Sequence, residues 1–433
     1  MTPPNRLHIE TIMTYRPIGC NLLLIGSVMN GWRRLLLAVV CGVAVASIYA
    51  AQPILEPMGR DLGVPAEHAG WIVATAQVGY LVGLVLLVPL GDVVADRRRL
   101  IAAHLALTAV GMILTASAPA AWVAFAGLAG TGMFAVVVQT TVAYAASVSP
   151  PAERGRNIGV VTSGVMIGIL GARIVTGSVA QIWGWRSVYA VCAVLALWLA
   201  ASVLLVLPSE QRPGRPAAYR RAVVALGGLF GQRLFLTRGL IAFFLFASFA
   251  TLWNGLSLVL AGAPWQLSES RIGLFGLAGL AGALGAARAG RWADRGRAAP
   301  VTGLALTLLI LSWSAIAQLP RSLWLLVIGI VVLDFAVQVV HVSNQNLLTA
   351  AHSDRVSGVI GGYMVFYSFG SAVGAAATTA ICAAGGWVGS CLLGAGFACC
   401  ALTVWAFGGR PPLERATIRS GKPGSHQVRA AMD

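Results

Sequence analysis

The sequence predicts an all-α polytopic membrane protein of twelve transmembrane helices arranged as two pseudo-symmetric six-helix bundles. Three observations predict it. Of 433 residues, 58% are apolar and only 10% charged, with a mean hydropathy of +0.81, which leaves too little polar surface to cover a soluble globule. Apolar runs of about 20 residues, each able to cross about 30 Å of hydrocarbon, recur along the whole chain. Finally, sequence landmarks repeat between the two halves at a nearly constant offset.

The spans fall at 35–55, 69–90, 100–118, 121–147, 157–181, 186–207, 237–262, 269–290, 300–318, 322–349, 356–382 and 386–408. Residues 1–34 read as a cytoplasmic extension without fixed order. Its apolar stretch Gly19–Val28 is too short to span, and Met29 offers an alternative start directly before the first span. A basic, proline-containing linker, 208–236, separates the bundle of 35–207 from that of 237–408, and a cytoplasmic tail occupies 409–433.

The net charge of +16 raises the question of a nucleic-acid partner, but its placement argues for lipid. Arg60, Arg186, Arg271 and Arg321 fall in outer loops and Arg173 inside a span. The other 25 of the 30 basic residues fall in the N-terminal extension, inner loops and tail. This positive-inside bias places both termini in the cytoplasm and points to anionic headgroups as the partner of the basic loops. The seven cysteines show no metal-ligand or redox spacing and read as small hydrophobes.

Asp92 and Asp294 follow spans two and eight at an offset of 202. Glu153-Arg154 and Asp354-Arg355 follow spans four and ten at 201, and Gly184-Trp185 and Gly386-Trp387 follow spans five and eleven at 202. An even number of spans per half makes this a parallel repeat about an axis along the membrane normal, the organisation of transporters that bind substrate near the midplane.

Within span ten, Asp334, Gln338, His341 and Gln345 share an arc of about 60° and climb about 16 Å on one helix face. An intramembrane acid costs about 2.5–3.5 kcal/mol on insertion scales, so it faces protein or a wet cavity. Arg173 and Asp334 are the only charged side chains placed deep within spans, and they are expected to meet across the interface of the two bundles. That pair serves either proton coupling, with His341 as a relay, or permanent packing of helices; the sequence leaves both open. Gln338, Asn344, Gln345, Gln139, Tyr49, Gln52, Trp253 and Asn254 offer hydrogen bonds or an aromatic face to a ligand, with helix contacts and interface anchoring as the alternatives. Glu56, Glu67 and His68 read as solvated. No nucleotide loop, metal-ligand set or nucleophile–base pair suggests an enzyme or a cofactor.

Gly290-Arg-Trp-Ala-Asp294-Arg295-Gly296-Arg297 after span eight, and Gly91-Asp92-Val-Val-Ala-Asp96-Arg97-Arg98-Arg99 after span two, resemble the loop signature of the major facilitator superfamily. The resemblance covers 33–408. It implies the fold above, a monomer in the bacterial inner membrane, and alternating access driven by protons. It also implies a cytoplasmic latch in which Asp92 pairs with Arg97–Arg99; simple charge anchoring is the alternative. The first-half copy lacks the first glycine and the arginine after Asp92. The combinations Tyr49-Ala-Ala-Gln52-Pro53, Gly168-Ile-Leu-Gly-Ala-Arg173 and Asp334-Phe-Ala-Val-Gln338 are similar to drug-efflux-like members of the acriflavine-sensitivity type. Two exporter patterns are missing: span four has no arginine, and Ala172-Arg173 stands where span five has a Gly-Pro pair, although glycines 164, 168, 171 and 177 still permit close packing. The expected function is a proton-coupled exporter of small amphipathic or drug-like molecules. Transport of an organic anion at Arg173, or a non-transporting sensor or scaffold, are the alternatives.

Overall fold

Inside a bilayer each backbone N–H and C=O must be satisfied within its own segment, so apolar runs become helices. The computed structural model describes residues 29–150, 153–209, 219, 224, 227–292, 298–352 and 356–408. It is all-α over those residues. Helix α1 (Gly31–Tyr49) starts at an Asn30 cap. It ends where Pro53, which has no N–H to donate, opens a 3-10 turn, Gln52–Ile54, leading into α2 (Leu55–Asp61). The first span is therefore longer than expected and runs to Asp61. Then follow α3 (Gly70–Leu86), α4 (Arg97–Ala116), α5 (Ala121–Phe134), α6 (Val137–Val148), α7 (Arg154–Trp183) and α8 (Trp185–Val206). Helices α5 and α6 are two parts of one span, bent at Ala135–Val136. The second set comprises α9 (Arg233–Ala261), α10 (Glu269–Trp292), α11 (Ala298–Ile316), α12 (Leu323–Ala351) and α13 (Val356–Phe407).

Helix α13 is two helices joined at Gly386, whose φ of 60° and ψ of −158° break the helical run. Gly184, between α7 and α8, has φ 79° and ψ 165°. Both conformations belong almost solely to glycine. The Gly-Trp repeat thus builds the same turn twice, and in each the tryptophan Nε1 donates: Trp185 to Asp61 Oδ2 at 3.0 Å, Trp387 to the Ile316 carbonyl at 3.1 Å.

Two seams join the sets. Helix α3 packs along the first arm of α13, and α7 along α10. Their described contacts reach from mid-bundle to the end away from the arginine-rich loops. In the first seam Ser368 Oγ donates to the Gln77 carbonyl at 2.6 Å, and Thr379 Oγ1 donates to the Glu67 carbonyl at 2.9 Å while accepting from Gly70 N at 3.1 Å. In the second, Gly177 lies on the Glu269 backbone and Gly273 on the Arg173 backbone. Of the other glycines expected to permit packing, Gly164 and Gly168 meet Ala38 and Gly42 of α1, whereas Gly171 faces open space.

At the basic end, the last-turn carbonyls of α8 gather donors: Arg98 Nη1 reaches Leu207 O at 3.1 Å, Arg33 Nε reaches Val206 O at 3.2 Å, and Tyr144 Oη reaches Pro208 O at 2.9 Å. Cations complete a helix C-terminus in this way. Asp96 caps α4 through Arg98 N at 3.0 Å and lies 3.6 Å from both the Arg98 and Arg99 guanidinium groups. Arg97 is buried and donates to Gly91 O at 2.8 Å. These bonds all lie within the first six helices, so the described part of the loop motif fastens one bundle internally. The Asp92 side chain, Asp294, Arg295 and Arg297 lie outside the described residues, as do 1–28 and 409–433; Gly290 lies near the end of α10.

Candidate functional site

A ladder of small residues sets the site. Gly273, Gly276, Gly279 and Gly282 recur every third residue on α10, a spacing that turns them by about 60° per step, from the α7 side at Gly273 to the α12 side at Gly282. A Cβ added at Gly276 would stand 3.3 Å from Arg173 Cβ, and one at Gly282 would stand 3.1 Å from Asp334 Cβ. At Gly279 it would stand 3.1 Å from each of Asp334 Oδ2, Leu170 Cδ2 and Trp253 Cζ2. Helix α10 therefore lies against both intramembrane charges, with no side chain of its own between them at these positions.

Arg173 is 2% exposed and Asp334 1%. The expected pairing takes an indirect form. The guanidinium lies face-on over Trp253, 3.7 Å from the ring centroid, with Phe249 at 5.6 Å and Tyr49 at 6.0 Å. Its Nη2 donates to Gln52 Oε1 at 3.0 Å and its Nη1 to the Ile169 carbonyl at 3.3 Å. Neither guanidinium hydrogen bond goes to a carboxylate. Asp334 Oδ2 and the Trp253 indole nitrogen are both buried and interact with one another without forming a well-aligned hydrogen bond. Five sequence candidates, Tyr49, Gln52, Arg173, Trp253 and Asp334, thus converge on one buried cluster fed by α1, α7, α9 and α12 and the 3-10 turn.

One layer nearer the basic end, the Tyr49 and Tyr367 hydroxyls touch across the two sets. The Tyr367 ring sits 4.0 Å from that of Phe246. Beyond them lies a second cluster. His341 Nδ1 is 3.0 Å from Tyr363 Oη, and its Nε2 is 3.2 Å from Gln345 Nε2. Asn344 Oδ1 accepts from Arg238 Nη1 at 3.3 Å. Gln338 is half-buried on the same face of α12, between the clusters. Two candidates fall elsewhere. Gln139 donates to Tyr80 Oη at 2.7 Å within the first bundle, and Asn254, about 100° round α9 from Trp253, donates to its own helix at Ala250 O, 2.8 Å away.

One expectation is corrected. Arg238, the second residue of the expected span 237–262, counts from sequence among the inner-loop cations, yet α9 begins at Arg233 and carries Arg238 into the bundle, where it is 3% exposed. The boundary was displaced because the first turn of α9 mixes charge with Leu and Phe, so hydropathy starts late. The partners Gln77, Phe249, Tyr363, Tyr367 and Ser368 were also missed. The three-residue glycine period of span eight and the Tyr363–Tyr367 step of four were readable signals for them. Glu56 pairs with Arg60, and Glu67 and His68 are exposed, as expected.

The comparisons agree with the fold. The model of the Major Facilitator Superfamily matches residues 37–265 and 239–430. The chain is 41% identical over 371 residues to the "Putative uncharacterized transporter YgaY" of Escherichia coli strain K12, covering 86% of this chain and 94% of the relative. It is 30% identical over 306 residues to a "Chloramphenicol resistance protein" of Streptomyces lividans, covering 66% and 72%. The crystal structure of a point mutant of the nucleoside transporter NupG superposes with a TM-score of 0.70 at 13% identity, over 87% of this chain and 100% of that one. With two six-helix sets, a repeated Gly-Trp turn and a family match across nearly the whole chain, the protein belongs to the Major Facilitator Superfamily.

Proposed function

We propose that this secondary transporter of small molecules is a proton-coupled exporter of amphipathic or drug-like compounds, of the acriflavine-sensitivity type. The bundles 35–207 and 237–408 rock about the buried cluster to expose it to either side in turn. The positive-inside bias puts the basic end and both termini in the cytoplasm. On that orientation the described seams close the periplasmic side, and Gln345, His341 and Gln338 line the route from the cytoplasm toward Asp334.

The observation that carries this reading is Asp334 Oδ2, buried and without a well-aligned hydrogen bond in the seam between the bundles. A carboxylate left so is expensive to keep charged, and a proton or a cationic ligand relieves it. Each binds at the other's expense, which is the requirement for exchanging one against the other. The name of the Streptomyces lividans relative, a chloramphenicol resistance protein, supports an exporter of drug-like molecules. Below Asp334, the chain His341–Gln345–Tyr363 supplies hydrogen-bonding groups for a proton path, and the tyrosine pair stands between the two clusters.

The test is Asp334→Asn in proteoliposomes with an imposed pH gradient. Gradient-driven movement of a lipophilic cation falls by about 100-fold or more, in the range seen when a group required for a proton-transfer step is removed. Movement down the substrate's own gradient persists. Undiminished pH-driven transport in the variant would end the coupling assignment. A parallel screen of lipophilic cations and organic anions on the wild-type chain decides the substrate class.

A further inference from the structure

The two buried charges are close neighbours that do not consume one another. A permanent structural ion pair closes its hydrogen bonds, because an open carboxylate oxygen in a dry interior is costly. Here Asp334 Oδ2 closes no well-aligned hydrogen bond, while Arg173 is held by an aromatic face, an amide oxygen and a backbone carbonyl. The face of Trp253 is the strongest cation-binding surface in the cluster, and a tethered cation fills it at 3.7 Å. Phe249 and Tyr49 complete three rings around that cation, and Gly279 leaves the carboxylate oxygen and the indole edge facing one another. Rings from both bundles with an adjacent open carboxylate make a site for a large, weakly hydrated organic cation.

The geometry points to Arg173 as a resident surrogate of the substrate: its guanidinium occupies the Trp253 cage in the empty transporter, and an organic cation binds by displacing it and pairing with Asp334. This rests on the reading of the protein as an exporter of amphipathic compounds and narrows the substrate to cations. The tethered cation keeps the cage filled and the pocket's positive charge constant when no substrate is present. It also sets a threshold, since a neutral ligand gains nothing at the carboxylate and an anion is repelled by it.

The experiment is equilibrium binding of tetraphenylphosphonium and of benzoate to the purified full chain. Arg173→Gln removes the competing charge and binds tetraphenylphosphonium at least tenfold more tightly than wild type; Arg173→Lys, which keeps a cation, stays within about threefold of wild type. Adding Trp253→Leu to Arg173→Gln abolishes the gain, and benzoate binding does not improve in any variant. Unchanged or weaker tetraphenylphosphonium binding by Arg173→Gln overturns the proposal, as does benzoate binding that wild type shows and Arg173→Gln loses. If Arg173→Gln does not fold, Trp253 variants of the wild-type chain decide: affinity for tetraphenylphosphonium falls in the order Trp, Phe, Leu, and a flat series overturns the assignment. Failure of pH-driven transport to depend on Asp334, with the Arg173→Gln gain intact, removes the coupling mechanism and leaves the surrogate. Coupled transport with a flat binding series removes the surrogate alone.

Discussion

The two seams between the bundles are near copies of one another, and their difference locates the chemistry. In the first, Gly70 of α3 lies on the Ala375 backbone of α13; in the second, Gly273 of α10 lies on the Arg173 backbone of α7. At the repeat offset of 202, Ala375 stands where Arg173 does, and Gly70 falls one residue from Gly273. Asp334 likewise corresponds to Gly132, which packs on the Ala76 backbone inside the first bundle. The glycine contacts that let helices slide together are therefore duplicated, whereas each charge has a small residue as its counterpart. Closing the end away from the arginine-rich loops is a shared mechanical task of both seams, and holding buried charge belongs to the second alone.

Leucine at either glycine attacks the shared task directly. At Gly70 and at Gly273 even a Cβ meets neighbouring backbone, which cannot rotate away, so neither seam closes without displacement. Overpacking of this kind costs about 1–3 kcal/mol, and about 1.4 kcal/mol is tenfold in an equilibrium. Gly70→Leu and Gly273→Leu should each depopulate the state in which the seams are closed by about 10- to 100-fold and reduce transport accordingly. Spin-label distances across each seam, His68 to Cys382 and Ile182 to Arg271, should lengthen in both variants. Tolerance of one leucine but not the other would break the equivalence of the seams.

Much of this was readable in the chain. The twelve spans, the repeat and the Asp334–Gln345 stripe follow from hydropathy, charge and the 3.6-residue period, because the bilayer forces one backbone solution on each apolar run. The members of the cluster were readable too: Tyr49, Gln52, Arg173, Trp253 and Asp334 stand out as polar or aromatic groups in apolar helices. Their mutual arrangement was not. Whether Arg173 turns to a carboxylate or to an indole ring depends on how close α10 approaches, and that is set by the absent side chains at Gly276 and Gly279. Arg238 was missed for a related reason: nothing in a one-dimensional hydropathy profile distinguishes a cation at a helix entrance from one carried inside to Asn344.

The Gly-Trp turns allow a smaller test of the same repeat. Gly184→Ala and Gly386→Ala both place a methyl on positive-φ backbone, with nothing within 4 Å of the new atom. The penalty is thus purely conformational, on the order of 1–3 kcal/mol. The two variants should lose the same thermal stability in detergent, within about 0.5 kcal/mol, and the double variant should lose the sum, since distant sites add. Unequal losses would mean that the turns are alike in backbone only.

The smallest effects should come from the hydrogen bonds at the outer ends of the seams, where burial predicts an asymmetry. Thr379 is 1% exposed and serves two backbone groups of the other bundle, the Glu67 carbonyl and the Gly70 N–H. At the repeat offset its counterpart is Gly177, and the side-chain hydrogen bond at the same end of the second seam is that of Ser270, half-buried, to the exposed Gln181. Thr379→Val keeps the side-chain shape and leaves the buried Gly70 N–H without its acceptor, costing about 1–3 kcal/mol of closed-state stability. Ser270→Ala leaves Gln181 free to bond water and should cost no more than about 0.5 kcal/mol. In the same spin-label measurement, Thr379→Val should broaden the His68–Cys382 distribution, while Ser270→Ala leaves Ile182–Arg271 unchanged. The reverse ranking would show that the second seam, with its buried charges, is the one whose closure is marginal.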